Sequence, residues 1–306
     1  MTPDKYTISE KFLNVSKIHN LYVQDWGNKS SKNVFVFLHG GPGSGTSDSA
    51  KGFFDPKISR VIFFDQRGSG KSLPRDEIRE NTISDLADDI EKIADEFNIE
   101  MFTLVGRSWG SCLALFFAIK HPNRVKNLVI GGVFTGSKSD SDLFDSGAFK
   151  IQFPDIWEEY QATAPKEFRE NPSAYHFSKI GAKEKISETI YANLEGSLSI
   201  INAEKTDLKA PIPEEYLFGQ KIEMHYLKNN CFLPDEFILE NSRKIKVPVH
   251  IIQGRYDMIC PPTIAYKLSK KLVNANLTWT IAGHSSKDEE NSLATKLVIK
   301  QLCSES

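Results

Sequence analysis

The stretch Gly106-Arg107-Ser108-Trp109-Gly110 decides the fold that this sequence predicts. It follows the apolar run Phe102 to Val105 and precedes a helical pattern from Ser111 to Lys120. A serine between a strand and a helix, with a glycine two positions away on each side, is typical of a sharp turn whose two backbones leave no room for side chains. Such a turn holds the serine hydroxyl exposed at the edge of a sheet, where it can act as a nucleophile.

The 306-residue chain has the composition of a globular protein, with 40% apolar and 25% charged residues. Its length suits one large domain or a core with an inserted subdomain. The net charge of −2 supplies no field that would attract nucleic acid or an anionic membrane. We therefore expect neither of these among its partners.

Terminal and cysteine patterns favour a cytoplasmic location. Residues 1–5 lack the basic and then apolar pattern of a signal peptide, and no apolar run approaches the roughly 18 residues of a membrane span. The four cysteines, Cys112, Cys231, Cys260 and Cys303, are scattered without a C-x-x-C pair. This favours free thiols in a reducing compartment over disulfides or a metal site.

Apolar runs predict a mostly parallel sheet around the serine turn. Residues 5–26 carry alternating apolar positions that predict two strands, and Thr82 opens an amphipathic helix with a capping box. Continuous apolar runs, typical of strands buried on both faces, lie at Val34–Leu38, Val61–Phe64, Val125–Val133, Val247–Gln253 and Leu277–Ala282. Helical patterns alternate with them, including Pro262–Leu272 and Lys287–Leu302. The alternation predicts an α/β fold with right-handed crossovers.

The alternation stops between Phe134 and Lys244. No long apolar strand occurs there, and amphipathic helical stretches with many aromatic residues take its place. We therefore predict an α/β core made of residues 1–134 and 245–306, with a helical cap of residues 135–244 inserted into it.

Three polar residues follow predicted strands in the order that a hydrolytic triad requires. A serine hydroxyl is a poor nucleophile until a base takes its proton, and the base needs an acid to fix its tautomer. Ser108, Asp257 and His284 lie in the order Ser, Asp, His, each just past the carboxyl end of a strand. Because these ends share one edge of the sheet, we expect the three side chains to meet.

The tetrahedral intermediate of such a reaction needs two amide donors. The N–H group that follows the nucleophile, from Trp109, is one candidate. The other should come from His39-Gly40-Gly41-Pro42-Gly43, the loop after an early strand, because glycine lets the backbone approach the oxyanion. We select Gly41.

Four motifs together resemble the proline iminopeptidase family of α/β-hydrolases. They are His39-Gly40-Gly41-Pro42-Gly43, Asp65-Gln66-Arg67-Gly68-x-Gly70-x-Ser72, Gly106-x-Ser108-Trp109-Gly110-Ser111, and Gly254-Arg255-Tyr256-Asp257 with Pro261. The similarity runs from about residue 10 to the C-terminus, including the cap. It implies an enzyme that removes an N-terminal residue, preferentially proline, from small peptides, with no metal or cofactor.

The resemblance also implies that acidic residues of the cap bind the free amine of the substrate. The segment 192–196 resembles the one that carries the first such acid, here Glu195, and the segment 222–226 the one that carries the second, here Glu223. An α-ammonium group has a pKa of about 8 and is mostly charged at neutral pH, so two carboxylates can hold it by charge-assisted hydrogen bonds.

Two positions depart from the family pattern. Position 107 is Arg where a small residue is usual, and its side chain could lie along the sheet, pair with a carboxylate or enter the amine pocket. Position 194 is Leu where an aromatic residue usually precedes the glutamate, a change that could reshape the proline pocket.

Two other functions stay open at this point. A carboxylesterase or lactonase on the same scaffold would keep Ser108, Asp257 and His284 and use the cap as an apolar lid. A non-catalytic ligand-binding homologue would usually have lost a member of the triad, and all three residue types are present here. A dehalogenase or epoxide hydrolase would need Asp at position 108.

Overall fold

A computed structural model describes residues 4–179, 185–203, 206–213, 217 and 219–305. Within these residues eight strands form one sheet in the order β1-β2-β4-β3-β5-β6-β7-β8. The strands are β1 (Thr7–Asn14), β2 (Asn20–Gly27), β3 (Val34–Leu38), β4 (Arg60–Phe64), β5 (Phe102–Ser108), β6 (Val125–Val133), β7 (Val249–Gly254) and β8 (Ala275–Thr280). β2 pairs antiparallel with both β1 and β4, and all other pairs are parallel. The predicted α/β fold with a mostly parallel sheet is confirmed.

The described helices alternate with the parallel strands or lie between β6 and β7. They are α1 (Ile83–Glu96), α2 (Trp109–Lys120), α3 (Lys138–Asp145), α4 (Pro154–Ala162), α5 (Pro172–Lys179), α6 (Ile186–Leu198), α7 (Gln220–Lys228), α8 (Phe237–Asn241), α9 (Pro262–Lys271) and α10 (Glu289–Ser304). The predicted capping box of α1 is confirmed, because Thr82 and Asp85 exchange side-chain and backbone hydrogen bonds.

The core lies on both faces of the sheet. Val36, Ile62 and Leu104 point to the face covered by α1, α2 and α9, whereas Val105 and Phe63 point to the face covered by α10. These strands are buried on both sides, which explains their continuous apolar sequences. The rigid sheet fixes the carboxyl ends of β3, β5, β7 and β8 along one edge.

Six of the described helices, α3 to α8, lie between β6 and β7, and we call residues 134–248 the helical insertion. Its described part contains no strand and has a hydrophobic cluster of its own, in which Tyr160, Tyr191 and Leu194 are buried. Helices therefore occupy the range where the sequence predicts a cap, while the division into residues 135–244 and a core of 1–134 and 245–306 stays a prediction. None of the described helices has the length and apolarity needed to cross a membrane.

Candidate active site

Ser108 occupies the sharp turn between β5 and α2. Its backbone has φ 54° and ψ −128°, a conformation that a non-glycine residue adopts only when the surrounding structure enforces it. A Cβ on Gly106 would collide with the backbone of Gly110, and a Cβ on Gly110 would collide with the carbonyl group of Leu38. Both glycines are therefore required for the strand and the helix to approach each other at this turn.

Asp257 lies after β7 in a fully buried pocket of hydrogen-bond donors. Its Oδ1 accepts from the N–H groups of Ile259 at 3.0 Å and Cys260 at 2.7 Å. Its Oδ2 accepts from the Gln253 amide at 3.0 Å and from His284 Nδ1 at 2.9 Å. Four donors of this kind fix the carboxyl group in one orientation.

His284 lies on the loop after β8, and its backbone is held from two sides. Asn291, which is fully buried, donates to the carbonyl groups of Gly283 and Ser285 at 3.0 and 2.9 Å. Arg107 Nη2 donates to the carbonyl oxygen of His284 at 2.8 Å. Because Nδ1 donates to the Asp257 carboxyl group, Nε2 is the ring nitrogen left to accept a proton.

Ser108 and His284 line the same cavity. The structure records the hydrogen bond between His284 and Asp257 but none between the Ser108 hydroxyl and the imidazole. Hydrogen bonds of this kind are often long in a free enzyme and shorten when substrate binds. The structure thus brings Ser108, His284 and Asp257 together at one edge of the sheet.

The loop after β3 runs beside the serine turn. A Cβ built on Gly40 would lie 3.5 Å from Ser108 Cβ, and Gly41, with φ 105°, lines the cavity together with Ser108. The Trp109 N–H group is at the start of α2, where it has no partner within the helix. Of the two sequence-predicted amide donors, Trp109 therefore follows Ser108 directly in the chain, and Gly41 lines the same cavity as Ser108.

A buried hydrogen-bond network joins this loop to the serine turn. Two of its members, His39 and Gln66, have no function predicted from the sequence. His39 Nε2 accepts from the Gln66 N–H group at 2.9 Å, and the Gln66 side chain donates to the His39 carbonyl group at 3.0 Å. The Trp109 indole donates to Gln66 Oε1 at 2.8 Å. Burial lowers the pKa of His39, which keeps Nε2 free to accept. His39 and Gln66 could have been found from their motifs, which place both at strand ends.

Glu195 on α6 and Glu223 on α7 face each other across the same cavity. Their carboxyl groups are hydrogen-bonded to one another and line the cavity with Ser108. Burial raises the pKa of Glu195 to about 7. Burial, and then the neighbouring Glu195, raises the pKa of Glu223 well above its ordinary value. Two such carboxyl groups bind an incoming cation readily, since it relieves their repulsion.

The inner end of the cavity has aromatic walls and two further acids. Phe134, Phe144 and Tyr191 form its apolar surface, and Asp145 lies beside them with a further acid of α3, Asp140. Burial raises the pKa of Asp145 to about 6. The described residues contain no group of three or more His, Cys, Asp and Glu side chains arranged to hold a metal ion.

The two departures from the family pattern lie outside this cavity wall. The Arg107 guanidinium lies against Gly131 and donates to the carbonyl of His284. The side chain therefore lies along the sheet and does not enter the cavity with Glu195 and Glu223. Leu194 is fully buried in the hydrophobic cluster of the insertion, one residue before Glu195. It packs the helix that carries Glu195 and does not line the proposed proline pocket.

Comparisons with known proteins agree with the motifs. A family described as having the α/β-hydrolase fold matches residues 33–290. A probable proline iminopeptidase from Leptolyngbya boryana is 37% identical over 281 residues, which cover 89% of this chain and 87% of the relative. A proline iminopeptidase from Arabidopsis thaliana is 37% identical over 302 residues, covering 94% of this chain and 77% of that protein.

Solved structures share the fold with this chain. A proline iminopeptidase from Mycobacterium smegmatis aligns with a TM-score of 0.63 at 17% identity, covering 96% of this chain and 99% of that chain. The enol-lactonase from Burkholderia xenovorans LB400 aligns with a TM-score of 0.65 at 18% identity, covering 95% of this chain and 99% of that chain. The chain is therefore a hydrolase of the proline iminopeptidase family, a family of serine-type aminopeptidases with the α/β-hydrolase fold.

Proposed function

We propose that this chain releases the N-terminal residue, preferentially proline, from small peptides that have a free N-terminus. The observation that carries the proposal is the pair of carboxyl groups, Glu195 and Glu223, in the same cavity as Ser108. An ammonium group bound between them lies at a fixed distance from the hydroxyl, so that only the first peptide bond reaches it. The similarity to curated proline iminopeptidases supports the same activity.

In the first half of the proposed reaction, Ser108 attacks the carbonyl carbon of the N-terminal residue while His284 takes the hydroxyl proton. Asp257 accepts the hydrogen bond from Nδ1 and stabilises the imidazolium that forms. The N–H groups of Gly41 and Trp109 donate to the oxyanion. His284 then gives its proton to the leaving amine, and the shortened peptide departs.

The second half releases the N-terminal residue from the enzyme. A water molecule gives a proton to His284 and attacks the ester carbonyl of the acyl-enzyme. When the tetrahedral intermediate collapses, Ser108 recovers a proton from His284 and the free amino acid leaves. The cycle consumes one water molecule and uses groups of this chain for every proton transfer.

Preference for proline is supported by the number of donors on its amine. A prolyl ammonium group has two N–H bonds, whereas a primary ammonium group has three. Two facing carboxyl groups can accept both N–H bonds of proline and leave none unpaired. The aromatic walls formed by Phe134, Phe144 and Tyr191 suit a flat apolar ring.

The proposal is tested with matched substrates. Proline-2-naphthylamide should be cleaved and its N-acetyl derivative should not, while alanine-2-naphthylamide should be cleaved more slowly. Ser108→Ala should lower kcat by a factor of about 10⁴ or more. Equal turnover of the blocked and free amides, or turnover of esters alone, would favour a carboxylesterase or lactonase on this scaffold.

The amine site is tested separately by Glu223→Gln. Losing a charge-assisted hydrogen bond should lower kcat/KM for proline-2-naphthylamide by about 10- to 100-fold. Hydrolysis of p-nitrophenyl acetate, which has no amine, should stay within about threefold of wild type. Glu240→Gln, an exposed change on α8, is the matched control and should alter neither rate. Equal losses on both substrates would contradict amine binding by Glu223.

The cellular location is also a proposal. Cys112, Cys231, Cys260 and Cys303 are all free thiols, which supports a reducing compartment such as the cytoplasm. Fractionation of cells that produce the protein would test this directly.

A further inference from the structure

Arg107 immediately precedes Ser108 in β5, and its side chain crosses to the neighbouring strand. In the sheet register Arg107 pairs with Gly131 of β6, and a Cβ on Gly131 would collide with the guanidinium group. The guanidinium therefore fills space that a glycine leaves free. Its Nη2 donates to the carbonyl of His284 at 2.8 Å. One side chain thus joins the strand that ends in Ser108 to the loop that carries His284.

The guanidinium group loses most of its solvation in this position. Nη1 is inaccessible to solvent and has no hydrogen-bond partner among the described residues. Burial lowers the pKa of Arg107, an effect opposed first by the nearby charge of Asp257. An arginine side chain remains protonated in proteins, so that a poorly solvated positive charge lies close to the His284–Asp257 pair.

The imidazole of His284 is surrounded by charges of both signs. Asp257 is bonded to it from the loop after β7, and Glu195 faces it from α6 in the helical insertion. Arg107 faces the same loop from β5, and Asp288, from the loop before α10, acts on Arg107 in turn. The carboxylates of Asp257 and Asp288 partly offset the charge of the guanidinium, which favours its place beside the loop that carries His284.

We propose that Arg107 is a positioning residue for the catalytic histidine: its guanidinium lies against Gly131 and fixes the main chain of His284, and with it the direction of the imidazole toward Ser108. The inference rests on the roles proposed above for Ser108 and His284. It differs from a purely structural role, because it predicts a loss of kcat with little change in KM and partial recovery when residue 107 keeps a long side chain with a hydrogen-bond donor.

Three variants test the hydrogen bond from residue 107 to the main chain of His284. Arg107→Met removes the donor, Arg107→Gln keeps a donor on a shorter side chain, and Arg107→Lys keeps a donor on a long side chain. The rate of Ser108 labelling by a fluorophosphonate probe is measured together with kcat and KM on proline-2-naphthylamide. The labelling rate and kcat should fall most in the Met variant. The Lys variant should recover at least about threefold of that loss.

For Arg107→Met, kcat should fall by about 10- to 100-fold with KM within about threefold, since the base is misplaced while the substrate still binds. Arg60→Met is the matched control. Arg60 is a largely buried arginine of β4 that pairs with Asp25 at 2.9 Å, and its loss should lower stability without slowing the labelling of Ser108.

A Met variant whose kcat and labelling rate stay within about threefold of wild type would overturn the inference, and so would a Lys variant as slow as the Met variant. Should the Met variant fail to fold, the Gln and Lys variants carry the same comparison. The labelling assay also separates the two proposals. A wild-type protein that labels but cleaves no aminopeptide would refute the proposed function and would still report on Arg107.

Discussion

At the scale of single residues, the facing acids of the cavity determine how the free site is charged. Glu195 and Glu223 are hydrogen-bonded to each other, which requires a proton on one of them. His284, Asp145 and Gln220 also act on this pair, His284 and Gln220 favouring the charged carboxylates and Asp145 opposing them. At neutral pH this pair therefore holds a proton, which the ammonium group of the proposed substrate would replace.

This proton predicts how the stability of the protein depends on pH. The pKa of both acids is raised above the ordinary glutamate value of about 4.5 in the folded state, that of Glu195 to about 7. Between pH values of about 4.5 and about 7, the folded chain holds a proton that the unfolded chain has lost. The free energy of unfolding therefore falls as the pH rises through this range. Below the lower value both states are protonated and the penalty is absent.

Glu223→Gln should remove part of this penalty. The gain in melting temperature over wild type should be about 1.5 °C larger at pH 8 than at pH 5, which corresponds to about 1 kcal/mol in a chain of this size. Thermal unfolding at the two pH values measures the difference. Glu240→Gln, an exposed change on α8, should give the same small shift at both. A shift of Glu223→Gln that is independent of pH would contradict a shared proton.

Single residues also differ in how far the sequence predicts them. Ser108, Asp257 and His284 follow strand ends in a recognisable order, and the structure joins two of them by a hydrogen bond. The direction of Arg107 could not be predicted, because it depends on the absence of a side chain at Gly131 in a neighbouring strand. Glu195 and Glu223 have no signal of their own in composition or periodicity, and only the family motifs single them out.

At the scale of elements, α7 is oriented by a tyrosine one turn after its glutamate. Glu223 and Tyr226 are three residues apart and so lie on one face of the helix. The Tyr226 ring packs on Trp109 with a centroid distance of 4.6 Å, and its hydroxyl donates to Asn81 Oδ1 at 2.9 Å. Asn81 in turn donates to the carbonyl of Arg67 at 3.1 Å. The helix that carries Glu223, one of the two proposed amine ligands, is thereby connected to the serine turn.

Tyr226→Phe should remove the hydrogen bond to Asn81 while the ring still packs on Trp109. Loss of the buried hydrogen bond should destabilise the protein by about 1 kcal/mol. Because Glu223 is then less well placed, KM for proline-2-naphthylamide should rise by about two- to tenfold, while p-nitrophenyl acetate hydrolysis should change little. Tyr266→Phe on α9, where the ring is 52% exposed, is the control. An equal effect on the ester would show that Tyr226 supports the nucleophile rather than the amine site.

Elements were predictable where a long apolar pattern defines them. The parallel strands and α1 have such patterns, and the structure places all of them. The last strand is displaced to Ala275–Thr280 from the expected Leu277–Ala282, because alternate residues of this edge strand are exposed and the apolar run alone misplaces its ends. Helices α3 to α5 have only 8–9 residues each, too few for a periodic pattern to locate them.

At the scale of the whole molecule, the helical insertion is joined to the sheet by close backbone contacts. The carbonyl of Ser199, just after α6, accepts from the Ser285 N–H group at 2.7 Å, next to His284. Gly43, in the loop after β3, meets Gly219 at the start of α7 so closely that a Cβ on either would collide with the other's carbonyl group. Such contacts between distant stretches of sequence cannot be predicted from local patterns, since each glycine alone looks like an ordinary turn residue.

The contact between these two glycines predicts a specific coupling between substitutions. Gly43→Ala and Gly219→Ala each introduce strain at a positive φ, 104° and 93°, and each pushes the insertion away from the loop that contains Gly41. Each substitution strains its own backbone, so these two costs add. The two backbones need to move apart only once, so this cost is shared in the double variant. In thermal or urea unfolding the double variant should therefore lose less stability than the sum of the single losses, by about 0.5–3 kcal/mol.

The same cycle reports on the proposed chemistry. Moving the insertion displaces Glu195 and Glu223 relative to Ser108, so each single variant should lower kcat/KM for proline-2-naphthylamide more than for p-nitrophenyl acetate. Gly52→Ala is the matched control, because a Cβ there meets no atom within 4 Å. Stability losses that add to within about 0.3–0.5 kcal/mol would show that the two glycines act independently. In that case the insertion would be held in place by other contacts, and the orientation of the two acids would not depend on this approach.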